Sequence, residues 1–207
     1  SGANLSPQEK ERFRKISIEL SQLSLQFSEN VLASTNNYTK NITHKDELKG
    51  IPEHALIVAK EKAQNKGLEG WLFDLSQPSY LAVMTYADNR SLREELYLRY
   101  NQRAFGDEFD NQEVIKKILT YRHELANLLG FENYAAYALQ DRMAENIENV
   151  YILEEELLKY SYPVMKRELD QLAQFAHSMG LEGTLKRWDF SYYSEKEKTY
   201  LFKVNDE

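Results

Sequence analysis

A chain of 207 residues can hold one domain with a real core or two small ones, and 42% hydrophobic with 29% charged residues is ordinary for a globular protein. The net charge of -7 comes with no dense Lys/Arg cluster, which excludes a phosphate-tracking, nucleic-acid-binding surface. The absence of cysteine removes disulfides, thiolate metal sites and cysteine nucleophiles and fits a reducing, cytoplasmic compartment, and no apolar run approaches the roughly 20 residues that cross a bilayer.

Ser1-Gly2-Ala3 opens the chain without methionine and reads as a cloning scar, leaving 4–207 as a single helical domain. Ser6-Pro7-Gln8-Glu9 is a capping box with proline at the first helical position. Behind it Phe13, Ile16, Leu20, Leu23, Phe27 and Val31 recur in steps of three and four, an apolar helix stripe to about residue 34. Tyr38–Thr43 alternates and reads as a strand. A helix follows Pro52 to about Gln64, and the turn from Gly67 to Gly70 leads into a second strand at Trp71–Leu75. Two strands are marginal alone, so the expected ribbon, about 38–43 with 71–75, must lie on the helices.

From Pro78 onward the period is helical. Ser79–Ala87 forms one helix, and Asn89 or Ser91 caps a charged helix ending near Gly106. Asn111 caps the next, with Val114, Ile115, Ile118, Leu125 and Leu129 facing inward up to Gly130. Asn133–Leu139 is a short helix. The long pattern Ile147–Met179 contains Pro163, which removes a helical hydrogen bond and clashes one turn back, so a kink or break is expected there. Asp189 is the expected cap of a last helix. The fold expected is mainly α with a small two-stranded β-ribbon. The internal Lys45-Asp46-Glu47-Leu48 imitates a retention signal read only at a C-terminus.

Residues 121–127, Tyr-Arg-His-Glu-Leu-Ala-Asn, approach the zinc motif His-Glu-x-x-His, with Asn127 where the second histidine belongs. One imidazole cannot fix zinc tetrahedrally, and a neutral amide oxygen is a poor ligand, so a solvated helix face is the expectation for His123. His44, His54 and His177 are scattered, and Glu154-Glu155-Glu156 spreads its charges around a helix, a solubilising surface rather than an acid pair. No glycine-flanked serine elbow and no phosphate-cradling loop is present. The 14 Tyr, 9 Phe and 2 Trp cluster at Tyr97/Tyr100, Tyr134/Tyr137, Tyr160/Tyr162 and Trp188/Tyr192/Tyr193, which suits helix packing or a peptide groove equally.

Three strings go further: LSLQFSENVLASTNNY (23–38), PSYLAVMTYADNRSLREELY (78–97) and WDFSYYSEK (188–196), supported by NLLGFENYAAYALQDRMAE (127–145). In this order they resemble the thimet oligopeptidase family of zinc metallopeptidases, nearest its bacterial branch of peptidyl-dipeptidase Dcp and oligopeptidase A, over about Leu5 to Tyr200. The resemblance implies a neurolysin-like helical segment of an ellipsoidal enzyme that hydrolyses short oligopeptides in a narrow channel. It implies a zinc in the full-length parent, held by a His-Glu-x-x-His motif beyond the end of this chain. The chain then reads as an inactive fragment, with no catalytic residue, no metal ligand and no cofactor of its own.

Its partners would be oligopeptides and the missing catalytic half. Substrate-channel candidates are Trp188, Asp189, Tyr192, Tyr193 and Lys196, while Asp88 and Arg90 cap and bridge helices. Stripes that pack against an absent half would leave the piece prone to an artefactual homodimer. The competing reading is a self-standing helical scaffold that binds a protein partner.

Overall fold

The computed structural model describes residues 2–203. Its elements are α1 (Pro7–Asn37), β1 (Thr39–Ile42), α2 (Glu53–Asn65), β2 (Trp71–Asp74), α3 (Gln77–Tyr86), α4 (Arg90–Asn101), α5 (Gln112–Leu128), α6 (Tyr134–Leu139), α7 (Ile147–Ser178) and α8 (Phe190–Phe202). Short 3-10 turns occupy Lys45–Leu48 and Arg187–Asp189. The protein is therefore mainly α, and its antiparallel ribbon pairs Thr39 with Asp74 and Ile42 with Trp71.

Two compact units emerge from the distribution of contacts: Ser1–Leu32 with Ala104–Val164, and Ala33–Arg103 with Met165–Glu207. In the first, the Ser6 capping box forms, with the Ser6 amide donating to Glu9 (2.8 Å) and the Glu9 amide to Ser6 Oγ (3.4 Å). Ile16 and Leu23 of the α1 stripe are buried, but Phe27 is 37% exposed. In α5, Val114, Leu125 and Ala126 are buried whereas Ile115, expected to face inward, is exposed. Asn111 precedes α5 without capping it. Its amide turns back to α1, accepting from Asn30 Nδ2 (2.9 Å) and donating to the Phe27 carbonyl (3.0 Å). Asp110 takes the capping role, accepting from the Gln112 amide at 2.7 Å.

The second unit holds the principal core, where Ile42 and Phe73 of the ribbon pack with Ala59 of α2, Val83 of α3 and Leu92 and Leu96 of α4. Fully burying each of the larger side chains contributes about 1.5–3 kcal/mol. Leu48 of the signal-like tetrapeptide is also buried in this core, so that string is structural. Gly50 has φ +87°, and a Cβ there would lie 2.2 Å from the Tyr86 carbonyl oxygen. Only glycine allows this approach, which lets Lys49 accept from the Asp88 amide at 2.8 Å and fixes the corner between α3 and α4. A second cluster joins Leu172 and Ala176 of α7 to Tyr192 and Tyr193 of α8.

Two helix boundaries differ from those expected. α4 ends at Asn101 rather than near Gly106, and Ala104 already has φ +53°, a left-handed conformation that cannot continue a helix. α7 is unbroken through Pro163. Residues 151–168 are exposed throughout, so water can satisfy the Lys159 carbonyl that Pro163 leaves without a donor.

Candidate functional site

The strongest polar constellation lies wholly within the second unit, where α3 hands over to α4 and meets the Arg187–Asp189 turn. Ala87 takes extended angles that stop α3, and Asn89 then caps α4 by accepting from the Leu92 amide at 3.1 Å. This puts Arg90 and Arg93 on one face of the first helical turn. Cations there oppose the helix dipole, so a carboxylate close by is required for compensation. Asp189 supplies it.

Asp189 has no solvent exposure. Its Oδ1 accepts from Arg93 Nη2 and from Arg90 Nε, each at 3.0 Å. Its Oδ2 accepts from Arg90 Nη2 at 2.7 Å and from the Lys186 amide at 3.0 Å. Burial pushes the carboxyl pKa upward, but the hydrogen bonds from Arg90, the Lys186 amide and Arg93 outweigh it and hold the group below the usual aspartate value. The carboxylate is thus spent on Arg90 and Arg93, and the expected capping of α8 by its side chain is not made.

Arg93 is equally buried and uses its whole fork. Nη1 donates to the Ala87 carbonyl (2.6 Å), Nε to the Trp188 carbonyl (3.1 Å), and the guanidinium lies 3.9 Å from the Tyr192 ring centroid. The Tyr192 hydroxyl donates to Asp88 Oδ1 at 2.8 Å. Burial, followed by that bond to a carboxylate, raises the Tyr192 pKa, so the phenol remains protonated. One turn on, Lys196 Nζ stands 3.5 Å from Asp88 and 4.7 Å over the Tyr192 ring. Its side chain is 35% exposed and borders a cleft of about 450 Å³ also lined by Tyr86, Phe175, Met179, Glu195 and Tyr200.

Three of the expected channel residues, Asp189, Tyr192 and Lys196, are therefore gathered with Asp88 and Arg90 in one network. Tyr193 is buried edge-on against Tyr192, and Trp188 is half-buried against Tyr97 with ring centroids 5.9 Å apart. Sequence reasoning missed Arg93, the centre of the network. Its signal was an arginine one turn after Arg90 and directly beside the core residue Leu92, a place where a charge needs a buried partner.

The zinc-like residues sit in the first unit and do not suit a metal. His123 is exposed, with Nε2 2.9 Å from the Asn127 amide. With the Asn127 oxygen turned to accept from His123, its nitrogen reaches the Phe131 and Glu132 carbonyls at 3.0 and 3.3 Å, closing the end of α5. Glu124, in the position of a metalloprotease base, receives a bidentate pair from Arg12, including Nη2 at 2.6 Å. Among the described residues no group of three or more His, Cys, Asp or Glu could hold a metal ion. No described helix is long and apolar enough to cross a membrane.

Comparison with known proteins agrees with the motif order. Over 212 residues the chain is 45% identical to oligopeptidase A of Escherichia coli, and over 213 residues 46% identical to oligopeptidase A of Salmonella typhimurium. Each match takes in 100% of the chain but 31% of the relative. Similarity extends at 25% identity over 208 residues to dipeptidyl carboxypeptidase of E. coli, again with 100% of the chain and 30% of the relative. The chain thus spans about a third of the length of these relatives. The description of peptidase family M3 matches residues 83–207, which include the whole Asp88–Lys196 network. By this match and these identities, the chain belongs to peptidase family M3.

Proposed function

We propose that this chain is a non-catalytic part of the channel wall in a zinc metallopeptidase that hydrolyses short oligopeptides. The observation that carries the reading is the Asp189 network. The residues of WDFSYYSEK that could do chemistry instead tie the first turn of α4 to the start of α8, which makes a rigid panel rather than a reactive centre. Such a panel contributes by restricting access and positioning substrate. The zinc ligands and the base belong to the remainder of the parent, whose setting we take to be the cytoplasm, the compartment that a cysteine-free chain fits.

Within the panel, Asp189, Tyr192 and Tyr193 hold position, while Lys196, half-exposed beside the aromatic cleft, is the residue placed to meet a peptide. Trp188 supports this edge from Tyr97. In the full-length parent, Lys196→Ala is expected to raise KM for oligopeptides several-fold with kcat unchanged, the mark of lost uniform binding. Unaltered kinetics would remove Lys196 from the channel. A collapse of kcat with KM and fold intact would place chemistry in this segment and overturn the wall reading.

A further inference from the structure

α7 carries large apolar side chains on nearly opposite sides in its first half. Leu153, Leu157 and Tyr160 form one stripe, and Tyr151, Leu158 and Tyr162 another. At about 100° per residue the stripes lie roughly 150° apart around the axis. All six side chains are between 54% and 65% exposed. An amphipathic surface helix has one apolar stripe; this segment has two, with Glu154, Glu155, Glu156 and Lys159 on the arcs between them. Exposed apolar area on this scale marks an interface.

We propose that residues 151–162 of α7 form an interior helix of the complete family M3 polypeptide, covered on both sides by the remaining portion of that chain. The proposal rests on the reading of the chain as part of a longer peptidase. The occupant is set by two observations. The relatives are about three times as long as this chain, which leaves ample polypeptide to enclose a helix. A second copy docked along one seam would cover one stripe and leave the other in water. Two stripes this far apart need neighbours on two sides.

Leu158 and Tyr160, two residues or about 200° of helix rotation apart, lie on the two different stripes, so they separate these cases. In the 207-residue chain, Leu158→Asp and Tyr160→Asp are each expected to leave Tm within about 1 °C, as exposed positions do. In a full-length family M3 protein carrying this segment, each is expected to lower Tm by about 5 °C or more. Tolerance of either substitution in the full-length protein overturns the proposal. Sensitivity at only one of the two, Leu158 or Tyr160, indicates a single-seam partner such as a second copy, and also overturns it.

Hydrogen exchange on the unsubstituted proteins keeps the test open should a variant fail to fold. Amides of 151–162 should exchange at least ~100-fold more slowly in the full-length protein than in the 207-residue chain. Equal rates, or protection lost when the full-length protein is diluted to a monomer, overturn it. Neither readout involves peptide hydrolysis, so the result stands apart from the wall proposal.

Discussion

At the scale of single residues, the molecule turns on Asp189 and Arg93, both essentially without solvent exposure. Salt hardly screens a pair so placed. Asp189→Asn would leave the Arg93 guanidinium buried without its counter-ion, at an expected cost of about 3–5 kcal/mol. Denaturant unfolding of the two proteins checks this, and a change under 1 kcal/mol would show the pair to be dispensable. The carboxyl is held below its ordinary value in the folded state, so the unfolded chain binds its proton first as pH falls. The contribution is therefore complete above the ordinary aspartate pKa of about 3.9 and is lost as pH drops through the lower, folded-state value. Stability measured from pH 6 down to pH 2 should fall more steeply in the wild-type chain than in Asp189→Asn. By contrast the Arg12–Glu124 pair is 46% and 39% exposed and open to screening by water and salt, so removing it should leave stability nearly unchanged.

At the scale of elements, local signals and tertiary context divide the work. Helix starts with side-chain caps were legible, because the cap bond lies within four residues: Ser6 acts as the sequence suggests and Asn89 is the one of its two candidates that caps α4, while Asn133, read as the first residue of its helix, caps it instead. The ribbon was legible from alternation and from the Gly67–Gly70 turn. Asn111 and Asp189 do stand at the N-cap positions of α5 and α8, but distant partners on α1 and α4 claim their side chains, and no local pattern records those partners. Of the kink or break expected at Pro163 from sterics, the break is not made, because on an exposed stretch the helix runs through. Pro163→Ala should then stabilise the isolated chain, by up to about 3 kcal/mol in denaturant unfolding. Asn89→Ala should cost about 1 kcal/mol by removing the α4 cap. No gain from the first substitution would mean that α7 is shaped around its proline.

At the scale of the whole molecule, the motif order carried the family, and the match over 83–207 confirms it. The role of the site residues was less legible. WDFSYYSEK is recognisable as a string, but that Asp189 faces two arginines rather than solvent depends on about a hundred residues of intervening chain. The His123-Glu124 pair shows the converse. It imitates a zinc helix in sequence, while Asn127 and Arg12 occupy both side chains in space. We propose that this chain holds and shapes a channel without breaking bonds itself. That proposal is tested most directly by measuring zinc content and fluorogenic oligopeptide hydrolysis on the same purified sample of the 207-residue chain. The account predicts zinc well below one ion per chain and hydrolysis at the buffer rate. One tightly held zinc per chain, with saturable hydrolysis that a chelator abolishes, would contradict it.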